Sequence, residues 1–139
     1  MPSLLIIDND SAFREEFLAF LAKCFPDLRV VVAGNCVQAL REIRDNPPNV
    51  VFASIRLSDG NGLWLIRRIK TEHPEIACGV LSAFDQPEYI EAARASQADH
   101  FVCSGAIDRE GLVAFVRGSL LRPIKDTRPE SQWNRKAAR

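Results

Sequence analysis

The chain has 139 residues, enough for one domain with its own core but too few for two domains of ordinary size. Basic and acidic side chains number 18 each, so no net charge steers the whole molecule to nucleic acid. The charge is uneven, however, since residues 122–139 carry a net +4 and residues 1–121 carry −4. We therefore predict a single domain over 1–121 and a basic, Pro-containing tail over 122–139 that is expected to be flexible.

The apolar runs and the cysteines exclude several further classes of protein. The longest apolar runs, Leu4–Ile7 and Val30–Ala33, have the length of strands and are far too short to span a membrane. No basic start followed by a long apolar stretch marks a secretory signal. The cysteines form no CxxC pair and have no histidine at ligand spacing: Cys24, Cys36, Cys78 and Cys103. We expect a cytoplasmic protein with four buried, reduced thiols and no membrane partner.

Strand and helix patterns then alternate five times along the chain. Continuous apolar runs, typical of strands buried on both faces, lie at Leu4–Ile7, Leu28–Ala33, Val50–Ser54, Ile76–Leu81 and His100–Cys103. Apolar residues at helical spacing follow each run: Phe13, Phe17, Leu18 and Leu21; Val37, Leu40 and Ile43; Leu63, Ile66 and Ile69; Ile90 and Ala93 within Pro87–Ser96; Leu112, Phe115, Val116 and Leu120. Asp10 or Ser11 is expected to cap the first helix, and Asp59 to cap a turn.

This alternation predicts parallel βαβ units with right-handed crossovers. Five such units give an α/β protein of the flavodoxin-like, three-layer class, with a five-stranded parallel sheet of order 2-1-3-4-5. Ligands of such sheets bind outside the carboxyl ends of the strands. The polar residues at those ends are Asp8-Asn9-Asp10, Ser54, Ser82 and Ser104.

Four segments, LLIIDND, VVFASIRLSDGNGLWLIRRIK, GVLSAFDQPEYI and ADHFVCSG, resemble the response-regulator receiver (CheY-like) domains of two-component signalling. The resemblance covers about residues 3–121. It implies a phosphate-accepting site in which Asp8 matches the first of two acids that help to hold Mg²⁺. Asn9 stands in place of the second acid, and Ser54 in place of the phosphate-accepting aspartate. Ser104 replaces the lysine that closes the fifth strand.

Two further positions of the family pattern are recognisable. Ser82 keeps the hydroxyl group that ends the fourth strand, and Phe101 takes the place of the aromatic switch residue. Of the four charged groups on which phosphoryl transfer relies in that family, only Asp8 is therefore kept. A serine hydroxyl is neutral and a weak nucleophile without a neighbouring base, and Mg²⁺ normally requires one or two carboxylates.

We therefore predict a degenerate pseudo-receiver that is not an enzyme and has no cofactor. Asp8 is a weak candidate ligand for Mg²⁺, and it is not expected to bind the ion by itself. Its function would be phosphorylation-independent interaction with a protein partner. The expected contact surface is the face of the fourth helix, fifth strand and last helix, which also suits a homodimer. Its candidate residues are Phe101, Tyr89, Arg94 and Arg117.

Three alternatives stay open on the sequence alone. The chain could be a working phosphorelay receiver with an unorthodox acceptor such as Asp8 or Asp10. It could be the regulatory front domain of a nucleic-acid-binding regulator, in which the basic tail and Trp133 make the contacts, since the domain itself is not expected to bind nucleic acid. It could also be an unrelated enzyme on the same fold.

Overall fold

The computed structural model describes residues 2–9 and 11–121, so the tail predicted over 122–139 and the capping role predicted for Asp10 lie outside the described residues. The main elements alternate as the sequence predicts. Their bounds are β1 Ser3–Ile7, α1 Ser11–Cys24, β2 Arg29–Ala33, α2 Cys36–Asp45, β3 Val50–Ser54, α3 Gly62–Glu72, β4 Ala77–Ser82, α4 Pro87–Ala95, β5 His100–Cys103 and α5 Arg109–Leu121.

The five strands form one parallel sheet in the order β2-β1-β3-β4-β5, which confirms the predicted order. Leu5 of β1 lies opposite Val31 on one side and Val51 on the other. The loop between β3 and α3 contains a small antiparallel hairpin that was not predicted. Its two strands, Arg56–Leu57 and Gly60–Asn61, have two residues each. The parallel register brings the carboxyl ends of the strands to one edge, where the site is built.

Helices cover both faces of the sheet and give two apolar cores. α2, α3 and α4 pack on one face, and α1 and α5 on the other. Phe52 of β3 is the centre of the second core, with its ring edge-on to Phe17 at 5.2 Å and to Phe115 at 5.8 Å between centroids. A side chain at Gly79 of the neighbouring strand would overlap the Phe52 ring, so this position requires glycine.

The predicted apolar stripes are mostly buried, with two corrections. Val37 is 57% exposed, because α2 begins at Cys36 and turns Cys36, Ala39 and Ile43 toward the sheet. Leu65 of α3 is fully buried although the predicted stripe omitted it. The prediction of four buried thiols is wrong for two: among the described residues Cys36 and Cys78 are buried, while Cys24 and Cys103 are partly exposed. Within the described part of the chain, no helix is both long and apolar enough to cross a membrane.

Candidate functional site

A cleft of about 310 Å³ lies at the carboxyl ends of the sheet strands. The five polar residues singled out in the sequence as a degenerate phosphorylation site all line it: Asp8, Asn9, Ser54, Ser82 and Ser104. They come from four different segments of the chain, and the parallel order of the strands is what places them together. The remaining lining is largely apolar and aromatic, which the sequence interpretation did not anticipate.

Asp8 lies at the end of β1 and is only 2% exposed. Its backbone N–H donates to the carbonyl oxygen of Ala33 at 3.1 Å, which continues the β1–β2 pairing by one residue. Nη1 of Arg14 in α1 donates to the backbone carbonyl oxygen of Asp8 at 2.8 Å. Two hydrogen bonds therefore hold the backbone of Asp8 in place. Among the lining residues of the cleft, Asp8 is the one that carries a carboxyl group.

Ser82 ends β4, and its hydroxyl group is engaged by the loop that follows. Its Oγ donates to the carbonyl oxygen of Phe84 at 2.8 Å and accepts from the N–H of Phe84 at 3.0 Å. The N–H of Ser104 donates to the carbonyl oxygen of Ser82 at 2.8 Å, which extends the β4–β5 pairing to the rim of the cleft. Ser82 thus shapes the Phe84 loop by satisfying its backbone groups.

Ser54 is fixed by the close approach of α3 to the end of β3. The N–H of Gly62 donates to the carbonyl oxygen of Ile55 at 2.7 Å, and a side chain at Gly62 would overlap the carbonyl oxygen of Ser54. Asn61 caps the helix, since its side-chain oxygen accepts from the N–H of Leu63 at 2.7 Å. The glycine is required here because a backbone crosses directly over another backbone.

Asp59 caps helix α2 from the neighbouring loop, a longer-range role than the turn cap expected from sequence. Its two carboxylate oxygens accept from the N–H groups of Cys36 at 2.7 Å and Val37 at 3.1 Å. The hydrogen bond from the Cys36 N–H is the main reason that the pKa of Asp59 lies below its ordinary value. Burial, reinforced by the nearby Asp59 carboxylate, raises the pKa of the Cys36 thiol to about 11. Cys36 is therefore a protonated, unreactive thiol at neutral pH.

One wall of the cleft is aromatic. Phe84 and Tyr89 line it, and their rings stack with centroids 5.3 Å apart and an interplanar angle of 22°. Phe13 of α1 also lines the cleft. Phe84 is nevertheless 46% exposed. The available sequence signal was an aromatic residue in a loop directly after a strand end, with a second one in the first turn of the next helix.

The four residues predicted for the interface do not share one environment. Arg94 of α4 and Arg117 of α5 are exposed, whereas Tyr89 turns toward the cleft and Phe101 packs partly buried against the core. Arg109, another basic residue of α5, lies over the ring of Phe20 in α1 at 5.7 Å.

The lining residues fit a resident Mg²⁺ poorly. Hard cations of this size are held by carboxylates together with phosphate oxygens or waters, and the described lining residues offer one carboxylate, Asp8, together with the amide of Asn9 and serine hydroxyl groups. No group of three or more His, Cys, Asp or Glu side chains in residues 2–9 and 11–121 is arranged to hold a metal ion.

The family model described as "Response regulator receiver domain" matches residues 4–117. The chain belongs to this family. The match covers every element described above except the first residue of β1 and the last turn of α5. It confirms the resemblance that the strand-end motifs indicated and, with the observed topology, the flavodoxin-like fold.

Known proteins similar to this receiver domain include two curated relatives. It is 31% identical over 87 residues to the sensory transduction protein LytT of Bacillus anthracis, covering 62% of this chain and 35% of that protein. It is 27% identical over 127 residues to the DNA-binding transcriptional activator DevR/DosR of Mycobacterium tuberculosis, covering 91% of this chain and 54% of that protein. The chain thus spans about half or less of the length of these relatives.

Among solved structures, the chain is similar to a two-component response regulator from Clostridium difficile. The TM-score is 0.76 at 26% identity, over 88% of this chain and 98% of the other. The whole of the αβ domain therefore has a counterpart in a known response regulator.

Proposed function

We propose that this receiver domain transmits a signal in the cytoplasm through protein contacts and does so without being phosphorylated. The observation that carries the proposal is the composition of the cleft. Ser54 stands at the end of β3, Ser104 follows β5 and Asn9 follows Asp8, at the three positions where the family pattern has charged groups.

The chemistry of these side chains supports the proposal. A phosphoryl acceptor must be a nucleophile, and a serine needs a neighbouring general base to become one. The described lining residues include no histidine or lysine, and Asp8 is the one carboxylate among them. Charge that develops on a transferred phosphoryl group would be countered by Arg56 alone among the lining residues, from an exposed position where solvent weakens its effect.

Treatment with acetyl phosphate and Mg²⁺, followed by intact-mass measurement, tests the proposal directly. We expect no gain of one phosphoryl group. A stoichiometric gain that is removed by base would refute phosphorylation independence and would favour an unorthodox acceptor such as Asp8. A working receiver assayed in parallel is the control for the phosphodonor.

The surface that we propose for the protein contact is the face of α4, β5 and α5. α4 contributes one fully buried side chain, Ala93, so most of its surface is available for contacts. Glu88, Glu91 and Arg94 are exposed on this helix, and Arg117 is exposed on α5. A surface of mixed charge is compatible with a two-fold, self-complementary contact, in which each basic group meets an acidic group of the second copy.

Light scattering of the wild-type chain and of the charge reversals Arg94→Glu and Arg117→Glu tests this surface. We expect a dimer that both reversals weaken, and Lys23→Glu, on the exposed end of α1, serves as the matched control. A monomer at all concentrations, or a dimer that responds equally to all three reversals, would contradict the proposed surface.

A second candidate function rests on one relative. DevR/DosR is described as a DNA-binding transcriptional activator, and this chain corresponds to 54% of its length. We infer as the alternative that the domain regulates nucleic-acid binding by the basic tail over 122–139. Gel-shift assays of the isolated chain distinguish the two, since the module proposed first binds no DNA at physiological salt.

A further inference from the structure

The cleft is larger and more apolar than a site for a metal ion and a phosphoryl group requires. Its volume of about 310 Å³ is at the lower end of the range of small-molecule sites, roughly 300–1,000 Å³. Aromatic and aliphatic side chains supply most of its wall: Phe13, Ile55, Leu81, Phe84 and Tyr89. A lining of this kind with a few convergent polar groups is typical of sites for small organic ligands.

The aromatic wall is held in place by its own local structure. Ser82 Oγ bonds both the N–H and the carbonyl oxygen of Phe84, so the loop that carries this ring is fixed to the end of β4. Tyr89 is carried by the first turn of α4 and stacks on Phe84. A pair of rings that is already stacked and ordered loses little conformational entropy when a third ring packs against it.

The floor of the cleft favours hydrogen-bond donors over anions. Asp8 is almost completely buried, and its carboxyl oxygens accept hydrogen bonds, so they favour a ligand that donates them. Arg56, the basic residue of the lining, is exposed, and water screens its charge. Ser54 and Ser104 add neutral hydroxyl groups. These acceptor groups favour a ligand edge that carries N–H donors, which an amidinium group supplies.

We propose that the cleft binds a small, planar aromatic molecule whose polar edge carries a cation or N–H donors. Its ring packs against Phe84 and Tyr89, and its donor edge faces Asp8. The volume accommodates about one or two fused rings. Such a ligand would occupy the place of the phosphoryl group and would make the domain responsive to a metabolite. Ligand binding at the cleft is measured separately from phosphorylation, so either property can be absent without the other.

Benzamidine, a phenyl ring with an amidinium group, is the probe for this site. Titration into ¹⁵N-labelled protein is expected to give saturable shifts of the backbone amides of Ser54, Phe84 and Ser104, with a dissociation constant on the order of 1 mM for so small a ligand. Cyclohexanecarboxamidine keeps the cation without the aromatic ring, and benzoate keeps the ring with the opposite charge. We expect each to bind about tenfold more weakly, since each lacks one of the two recognition elements.

Two variants locate the binding. Tyr89→Ala removes half of the stacked pair and is expected to weaken benzamidine binding about tenfold, whereas Trp64→Ala removes an exposed aromatic of α3 outside the cleft and is expected to leave it unchanged. Asp8→Asn is expected to abolish the preference for benzamidine over benzoate. If that variant does not fold, the comparison of the three probes on the wild-type protein carries the same information.

Several results would overturn the proposal. These are the absence of saturable shifts with benzamidine, equal affinity of benzoate, equal losses in Tyr89→Ala and Trp64→Ala, or shifts confined to residues outside the cleft. Occupation of the cleft only by a side chain of a protein partner would produce the first of these results.

Discussion

Lys70 connects α3 to the amino ends of β4 and β5, and its replacement by methionine tests how much this connection stabilises the domain. Its Nζ donates to Oδ2 of Asp99 at 2.9 Å, to the carbonyl oxygen of Ile76 at 2.9 Å and to that of Pro74 at 3.2 Å. The same oxygen of Asp99 accepts from the N–H of Cys78 at 2.9 Å. The side chains of the ion pair are 13% and 14% exposed, so solvent screens their interaction only weakly.

The expected loss follows from what methionine keeps and what it removes. It keeps most of the apolar stem, so no large cavity is created, but it removes the charge and all three donated hydrogen bonds. Removal of one partner from a buried ion pair costs about 3–5 kcal/mol, because the other charge is left in a poorly solvated position. The residual exposure of the pair places the estimate at the lower limit, about 3 kcal/mol. A domain with roughly 5–15 kcal/mol of total stability still folds after this change.

Urea unfolding followed by circular dichroism measures the difference. Lys23→Met, at the exposed end of α1, is the matched control and should change the free energy of unfolding by less than about 0.5 kcal/mol. The double variant Lys70→Met/Asp99→Asn should lose less than the sum of the two single losses, since the two groups are in contact. If Lys70→Met is no more destabilising than Lys23→Met, the argument from burial is refuted. The cleft lies at the opposite edge of the sheet, so benzamidine binding should survive this substitution.

Three further predictions concern other parts of the domain. The lowered pKa of Asp59 means that its carboxylate stabilises the folded state above about pH 4 and that this contribution disappears as the pH falls through the lowered pKa. Asp59→Asn should therefore lower the free energy of unfolding, measured in urea, more at about pH 7 than at about pH 2.5. Equal losses at the two pH values would contradict the helix cap. Gln97, which follows α4, has a backbone φ of 70°, a conformation that suits glycine. Gln97→Gly should therefore raise the free energy of unfolding by about 0.5–1 kcal/mol. A decrease in that free energy would indicate a side-chain contribution that outweighs the backbone effect. The variant Ser54→Asp alone should not accept phosphate from acetyl phosphate, as judged by intact-mass measurement, because Asn9 and Ser104 still lack the supporting charges. The triple variant with Asn9→Asp and Ser104→Lys should accept it. Efficient reaction of the single variant would count against the importance of those two positions.

Much of the fold could be predicted because it depends on local patterns. Continuous apolar runs such as Leu4–Ile7 indicated buried strands, and residues at helical spacing such as Phe17 and Leu21 indicated the helix faces. The alternation of the two patterns then restricted the topology to parallel units, and the order of the flavodoxin-like class, β2-β1-β3-β4-β5, was predicted for them and is observed. The errors occurred where spacing is ambiguous, as at Val37, whose place in the stripe depends on where α2 begins.

The polar part of the site could also be predicted, but its aromatic wall could not. Asp8, Ser54 and Ser104 each end a strand or follow one directly, and parallel strands bring such positions to one edge. Phe84 lies in a loop whose conformation depends on hydrogen bonds to the Ser82 hydroxyl group, and Tyr89 lies in the first turn of α4 and stacks on Phe84. No periodicity specifies such a loop, since its conformation is selected by contacts with the rest of the domain.

The sequence by itself determined the class of fold, the family and the replacement of charged groups at Asn9, Ser54 and Ser104, because each is a property of residue order along single segments. The tertiary structure alone decided which side chains share the cleft, that Asp59 caps α2 across 23 residues of sequence, and that Lys70 pairs with Asp99 across 29. Such contacts join segments that are distant along the chain. Each requires the intervening residues to be ordered first by the sheet and its helices, at a cost in conformational entropy, so no local pattern encodes these contacts.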